Sequence, residues 1–390
     1  MKKEALAIEF KEQSNSTPEK SGFVLMPTMG AQDMPDSGNI NDELENRNIQ
    51  VLTPNLNERG AARLIPWDII NTVDLSNMRG CLTSFGRYRG ILDYLHDCIV
   101  QQENKGRHIN IFPDFDTIEW ISSKAKYLKH ITNNNISTIP TTALCCLKEP
   151  EKASIIAQPD NFEQMFKDIR NFIDAANTNR FVLKPSTSSL GRGLIFIDHD
   201  PETNNYTVSI PREENEEACQ SVYNGCKNLE RYLMNYFTNT PSPDNHFLFQ
   251  EYVPNIETSA VFINGKPHFI ERLQGEKSRI AHARYGGIDS FIDNPDLTMV
   301  NFVFEIMHTL PDDIQKSPFL RIDVMKNTQT GKYVLSEIEG AGATRFWLNK
   351  AGRLDDYADM IKELNVSSIK SSRPLHALEK KSTPLENIFS

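Results

Sequence analysis

The sequence predicts an α/β protein, and three observations carry that reading. Short apolar runs that end in turn residues alternate with stretches of helical period. A strand that ends in lysine breaks into small and glycine-rich turn residues and resumes as a strand, and two successive strands near the end of the chain carry charges on a shared face. With 390 residues, 39% hydrophobic and 24% charged, the chain is long enough for a large buried core and for two or three domains. The net charge of -10 argues against a nucleic-acid partner held by bulk charge, while leaving room for a local basic groove that takes a phosphate ligand. The opening MKKEALAIEFKEQSNSTPEK lacks the continuous apolar core of a signal peptide, and no later run approaches a membrane span, so a cytoplasmic protein with no membrane partner is expected. Six cysteines (Cys81, Cys98, Cys145, Cys146, Cys219, Cys226) form no CxxC and are read as reduced thiols rather than as a zinc site.

Taken in order, residues 1–21 are polar and read as a loose segment, and the tail over 366–390, which runs through SSRPLHALEKKSTPLEN, is read the same way. Residues 22–115 form a smaller α/β domain. GFVLMPTM and NIQVLTP are its buried strands, IPWDIINTVDLSNMRG has strand-then-loop character, and HINIFP is a further strand. Between the last two, RYRGILDYLHDCIVQQENKG sets Ile91, Leu92, Leu95, Ile99 and Val100 at helical spacing and stops at Gly106. From about Asp116 the pattern changes to a lysine-rich helix, SSKAKYLKHITNNN, followed by a turn at ISTIPTT, and a second unit is placed over 116–365.

In RFVLKPSTSSLGRGLIFI an apolar strand runs into Lys184 and resumes after Gly193. A small-residue loop between two strands leaves backbone N–H groups free to point at an anion, and a lysine on the first strand adds a compact positive charge. The order of lysine and glycines is not that of a Walker loop, and a hairpin with a solvated lysine is the competing reading. FLFQEYVPN then ends an apolar strand in Gln250 and Glu251, where backbone groups can meet the edge of a base. TSAVFINGKPHFIERL reads as a hairpin about Asn264-Gly265. Finally, FLRIDVMKNTQTGKYVLSEIEG reads as two strands, with Arg321 and Asp323 on one face of the first and Glu337 and Glu339 on one face of the second. Charges set inside apolar strands need a partner, and magnesium, which takes a few carboxylates and phosphate oxygens, suits them; a salt-bridged surface is the alternative.

These segments, in this order, resemble the ATP-grasp superfamily of ligases over roughly residues 22–350. The resemblance implies an ATP-grasp fold over 116–365 behind a smaller α/β domain. It implies Lys124, with Lys126 as the alternative, and Lys184 on the phosphates, under a loop containing Ser189, Gly191 and Gly193. Gln250, Glu251 and Val253 become the adenine hinge. Arg321 is expected to face the transferred phosphoryl group, Asp323 and Glu337 to hold one Mg²⁺, and Glu337 and Glu339 a second. Glu339 stands where many relatives carry asparagine, a change expected to shift preference toward Mn²⁺. The chain is most similar to the glutathione-synthetase-like group through Ser259, Phe262, Gly265, Pro267 and His268, followed by Arg279 and Gly286-Gly287. In that group an arginine binds the acyl-phosphate or a substrate carboxylate; the spacing here differs by a residue, so Lys277, Arg279 and Arg284 compete, and Arg279 is taken.

The activity so implied is ATP-dependent joining of a carboxylate to an amine, the substrates being an amino acid or peptide, through an acyl-phosphate, with release of ADP and phosphate. A small-molecule kinase and a catalytically silent ATP-binding module are the alternatives. The expected partners are ATP and small-molecule carboxylate and amine substrates, with a homodimer left open. Arg79, Arg87 and Arg89 either bind a substrate carboxylate or are solvated, His268 and His282 are bases or structural, and Trp120 and Trp347 are read as core.

Overall fold

A computed structural model describes residues 22–26, 37–54, 65–75, 85–147, 160–188, 191, 193–212, 217–240, 242–254, 256–275, 278–281, 285–327, 330–340 and 354–371. The expected loose segment over 1–21 lies outside these residues.

The apolar runs of the first unit become a parallel sheet in which β1 (Gly22–Leu25) is flanked by β2 (Ile49–Leu52) and β3 (Thr72–Asp74), with β4 (Asn110–Phe112) beyond β3. Runs this short and apolar suit strands covered on both faces. Leu25 and Val73 pack with Leu95 and Ile99 of α2 (Phe85–Asn104), whereas Val24 and Met26 face the opposite way, with Ile40 and Leu44 of α1 (Ser37–Glu45). Asp114 then caps α3 (Phe115–Ser122), accepting from Thr117 N at 2.7 Å, and Ser123 caps α4 (Lys124–Asn133), accepting from Lys126 N at 3.3 Å.

Beyond α4 the chain builds a six-stranded antiparallel sheet from β5 (Thr141–Cys145), β6 (Arg180–Pro185), β7 (Ile195–Asp200), β8 (Asn205–Ile210), β9 (Cys219–Asn224) and β10 (His246–Glu251), in the order β5-β10-β6-β7-β8-β9. Phe181, Leu183, Phe247 and Phe249 turn to one face, under α5 (Phe162–Ala175) and α6 (Cys226–Asn239). Strand alternation therefore turns Val182, Lys184, Leu248 and Gln250 to the other face. β5 begins at Thr141 and so takes in the last two residues of the expected turn, and β9 carries no apolar alternation because it is exposed along most of its length: it is a strand through pairing with β8 rather than through burial.

The second antiparallel sheet is β13-β12-β11-β14-β15, from β11 (Glu257–Ile263), β12 (Lys266–Leu273), β13 (Ile288–Phe291), β14 (Phe319–Lys326) and β15 (Tyr333–Glu339). Asn264 and Gly265, both at positive φ (48° and 75°), make the tight turn that sets the β11–β12 register. On one face Phe262, Leu320, Ile322 and Leu335 pack with Tyr127, Leu128 and Ile131 of α4 and with Val303 and Ile306 of α7 (Leu297–Thr309), which α8 (Asp312–Gln315) follows. Val261, Ile263, Ile270 and Phe319 on the opposite face reach the first unit.

The last helix, α9 (Leu354–Ser371), departs from expectation. The tail expected from residue 366 is still helical and partly buried: Ser368 is fully buried and donates to His108 O, and Asn110 Nδ2 donates to Leu364 O at 2.5 Å. The polar sequence hides this because Ser368 bonds to backbone of the first unit, and Asn365 and Ser367 accept from its Thr72 and Asn110 side chains. Residues 372–390 lie outside the described residues. Tyr357, fully buried, donates to Asp74 Oδ2 at 2.6 Å, and its ring packs edge-on against Phe112 and Phe319. No helix among the described residues is long and apolar enough to cross a membrane. Cys98, Cys145, Cys146, Cys219 and Cys226 are all free thiols.

A buried hydrogen bond to a carboxylate is worth about 1.5–3 kcal/mol. Tyr357→Phe, which keeps the ring, should lower unfolding stability by about that amount in denaturant melts, and Phe112 and Phe319 should hold the ring in place.

Candidate active site

The two antiparallel sheets face each other across a cleft, with α4 closing one end. Among the described residues its lining comes from both sheets: Val182, Lys184 and Phe196 from one, Glu257, Arg272, Arg321 and Glu337 from the other, around a cavity of about 180 Å3. Its apolar end is made by Ile139, Val253 and Met325, which pack with Val334. Its charged end is built as follows.

Lys124 is the first residue of α4. The N–H of Ala125 donates to Ser186 Oγ at 2.8 Å and that of Lys124 to Ser186 O at 3.3 Å, so the helix start is tied to the loop just beyond Lys184. The Lys124 side chain is 9% exposed; its Nζ donates to Ser188 O at 2.9 Å and pairs with Glu337 Oε1 at 2.9 Å. Lys184 stands opposite Leu248 in the sheet and lines the same cavity. Burial pushes its ammonium pKa down, and Lys124 adds to that against the pull of Glu337. Burial also pushes the Glu337 carboxyl up, but Lys124, Lys184 and Arg321 together outweigh it and hold the group at about 2. Lys126 instead lines a separate cavity of about 1060 Å3 on the other flank of α4, with Lys129, Phe115 and Leu248, a cavity that neither Lys124 nor Lys184 lines. Of the two lysines weighed in the sequence, Lys124 is the one brought to the cleft.

Glycine is required in the loop after Lys184. Gly191 and Gly193 have φ of +68° and +71°, and a Cβ on Gly193 would stand 2.9 Å from both Pro185 Cγ and Thr240 Cγ2. The Tyr236 hydroxyl donates to Gly193 O and fixes the loop to α6. Ser189 lies outside the described residues.

β14 and β15 set Arg321 directly opposite Glu339 and Asp323 opposite Glu337. A bulge between Asp323 and Val324 falls at Ser336 and lets both Ser336 and Glu337 line the cleft. Each acid meets a cation. Arg321, 1% exposed, donates from Nε and Nη2 to Asp323 (2.9 and 2.7 Å) and pairs through Nη1 with Glu339 at 2.8 Å. Burial pushes the Arg321 pKa down, but Asp323 and Glu339 more than reverse that. The forked donors expected to face a transferred group are therefore engaged by these two acids, and the extra charge expected from Glu339 is balanced by Arg321. The three carboxylates share one face, yet no group of three or more His, Cys, Asp or Glu converges in metal-holding geometry among the described residues. The donor set still fits magnesium, which is commonly bound through one or two carboxylates together with substrate phosphates.

At the hinge, Gln250 Nε2 donates to Thr141 Oγ1 at 2.7 Å, Glu251 N to Pro140 O at 3.0 Å, and Val253 joins the apolar end. Arg279 differs from expectation. It lines the cleft but binds Asp198 through both terminal nitrogens (2.9 and 2.5 Å), with its guanidinium over Phe196 and Tyr252 at 5.2 and 5.5 Å from their centroids. A carboxylate and two rings at the apolar side hold the cation more fully than an open charged end does. Lys277, Arg284, His282, Arg79 and Trp347 lie outside the described residues, as do the side chains of Arg87 and Arg89. His268 packs by Asp356 of α9 (3.6 Å), and Trp120 is partly buried beside Tyr127.

Sequence reasoning missed Glu257 and Arg272. They pair across β11–β12, with Arg272 Nη1 donating to Glu257 Oε1 at 2.5 Å and lying 3.6 Å from Asp323 Oδ2, and Ser336 Oγ donates to Glu257 Oε2 at 3.3 Å. A two-residue turn at Asn264-Gly265 places Glu257 opposite Arg272 by register alone, so the signal was present.

Solved structures share this fold at low sequence identity. The D-alanine–D-alanine ligase of Bacillus anthracis complexed with ATP is 13% identical, with a TM-score of 0.52, over 89% of this chain and 98% of that one. D-alanyl-alanine synthetase A of Vibrio cholerae is 9% identical, with a TM-score of 0.55, over 90% and 100%. The ATP-grasp ligase PsnB, complexed with a phosphomimetic variant of its minimal precursor, Mg and ADP, is 11% identical, with a TM-score of 0.52, over 90% and 100%. This chain has the ATP-grasp fold. No protein-family model and no curated protein sequence matches it. In this ATP-grasp cleft the most perturbed acid on the hairpin is Glu257: burial pushes its carboxyl up to about 7, Asp323 and Glu337 push the same way, and Arg272 opposes them.

An acid whose folded pKa is raised stabilises the protein fully below its ordinary value and loses that contribution as pH climbs through the folded one. For Glu257 the window runs from 4.5 to about 7. Denaturant midpoints followed across that window should fall with pH in the wild type, and Glu257→Gln should flatten the slope.

Proposed function

We propose that the chain is an ATP-dependent ligase that joins a carboxylate to an amine, of an amino acid or peptide, through an acyl-phosphate, and releases ADP and phosphate. The observation that carries this is the meeting of Lys124 and Lys184, from two different elements, at Glu337 across one cleft with an apolar end. The ATP and Mg/ADP complexes of proteins with this fold support a nucleotide and Mg²⁺ in that cleft, and the precursor in one of them supports a peptide as a substrate class.

Adenine would pack between Val182, Phe196, Val253 and Met325, beside the backbone of Gln250 and Glu251, and the loop between Lys184 and Gly193 would cover the phosphates. Lys124 and Lys184 neutralise phosphate oxygens; burial lowers the basicity of Lys184, as for a charge desolvated to meet a ligand. Glu337, Glu339 and Asp323 would hold Mg²⁺, which when bound supplies neutralisation of the β- and γ-phosphates; Mn²⁺ would serve the same oxygen donors. A carboxylate oxygen of the acid substrate attacks the γ-phosphorus as the bond to ADP breaks. The amine nitrogen then attacks the acyl carbon, loses a proton, and phosphate leaves. A loose phosphoryl transition state needs fixed positive charge more than covalent help; Lys124 and Lys184 supply it, while Arg321, engaged by Asp323 and Glu339, holds those two acids in the cleft wall. Arg279 is the candidate to meet the acyl-phosphate after leaving Asp198. Free thiols suit a reducing, cytoplasmic setting.

Incubation with ATP, Mg²⁺ and pools of amino acids and peptides, followed by phosphate release and product mass, tests the reading. ADP and a condensed product are expected; AMP would exclude this mechanism, and a phosphorylated acid with no condensation would make the protein a kinase. Lys184→Ala should weaken ATP binding in calorimetry while leaving the fold intact, since its charge serves a ligand; unchanged affinity would return it to a structural role.

Glu337→Gln removes a charge that both lysines face. Turnover should drop by about a hundredfold or more, as for groups that support a metal. Wild type should gain about 2.7 kcal/mol of stability at a Mg-ATP concentration of about one hundred times Kd, and the variant much less, read as the difference between melts with and without nucleotide.

A further inference from the structure

β15 is the edge strand of its sheet, and it carries both Glu337 and Glu339. A bare edge leaves backbone groups without ladder partners and lets the strand shift. Here the edge is closed in two places. At Leu335, the N–H donates to Ser137 O at 2.9 Å and the carbonyl accepts from Ile139 N at 3.2 Å. At Ile338, between the two glutamates, the N–H donates to the hydroxyl of Tyr127 at 3.3 Å. Tyr127 is fully buried, sits one helical turn after Lys124 on the same face of α4, and is wedged among Leu128, Ile131, Ile322 and Ile338. Lys124, in turn, reaches past the strand to Glu337 Oε1 at 2.9 Å. One helix face thus grips β15 twice within a span of two residues, once on a carboxylate and once on the backbone next to it.

We propose that Tyr127 is a positioning residue for the carboxylate pair: its hydroxyl fixes the β15 backbone between Glu337 and Glu339 against the helix that carries Lys124, so that the phosphate-binding lysine and the cation-binding acids keep one spacing. The proposal rests on the nucleotide and metal reading of the cleft. A phenylalanine in this place would fill the same volume and would leave the Ile338 N–H without that acceptor. The consequence falls on ion binding, because a hard cation such as magnesium demands close placement of its oxygen ligands.

The test counts bound ion rather than turnover. Wild type and Tyr127→Phe, each saturated with ADP, are titrated with Mn²⁺, and free ion is read by electron paramagnetic resonance. Half-occupancy in the variant should need about tenfold more Mn²⁺, the size of effect seen for groups that orient metal ligands. ADP affinity without metal should stay within about twofold, and Tyr127→Phe added to Glu337→Gln should cost little more, since both act through one ligand. p-Aminophenylalanine at position 127, which keeps a lone pair at the same point, should bring half-occupancy back toward wild type. Equal half-occupancy in wild type and Tyr127→Phe overturns the proposal, as do an additive double variant, a parallel loss of metal-free ADP binding, or no recovery with the amine. Wild type that binds ADP without taking up Mn²⁺ removes the metal reading itself, and one that binds no ADP removes the nucleotide reading; these results are distinct from the others because they appear before any substitution is made.

Discussion

Glu337 is where the architecture is constrained most tightly. Its carboxylate lies at the foot of α4, against Lys124, within the field of Lys184 from one sheet and of Arg321 from its own. A buried carboxylate without cations would be neutral, and a buried lysine without an acid would lose its proton. Each of the three elements therefore depends on the other two to keep its charge inside the protein. The side chain is 23% exposed, enough to leave the end of the cleft open to a ligand.

The surrounding charges extend the same logic through the second sheet. Arg321 bridges Asp323 and Glu339, Arg272 bridges Glu257 and approaches Asp323, and Ser336 reaches Glu257 through the bulge that re-aims it. Such a network is costly to desolvate, and replacing a buried ion pair with apolar residues commonly leaves a protein as stable or more so. Its presence in strands otherwise made of Leu320, Ile322, Val324 and Ile338 supports the proposed ligand site over a device for stability. The nearby apolar cluster of Ile139, Val253, Met325 and Val334 gives the same cleft a second, uncharged end, as a nucleotide with a flat base and a charged tail requires.

The first unit is joined to this sheet by packing as well as by chain connection. Val24, Met26 and Phe112 share a core with Val261, Ile263 and Phe319, and α9 is laid across both, with Tyr357 on Asp74 and Asn365 on Thr72. The carboxylate at the end of β3 is thereby buried through a residue 283 positions away in sequence. Arg279 shows the opposite situation: a cation whose sequence surroundings suggest the charged end of the cleft is drawn by Asp198 and two rings to the apolar side.

What the sequence determined by itself was whatever depends on local period and turn chemistry. Alternation put Arg321 with Asp323 and Glu337 with Glu339 on shared faces, the Asn264-Gly265 turn dictated the register that opposes Glu257 and Arg272, and the glycines after Lys184 announced a loop that no larger residue could enter at Gly193. Tertiary structure alone decided that Glu337 meets Lys124, that Lys124 rather than Lys126 turns to the cleft, that the serine-rich end of α9 is partly buried, and that Tyr127 closes the edge of β15. The physical reason is separation along the chain. Contacts between elements hundreds of residues apart follow from how whole faces pack and which buried charges must be neutralised together, and no window of sequence contains both partners.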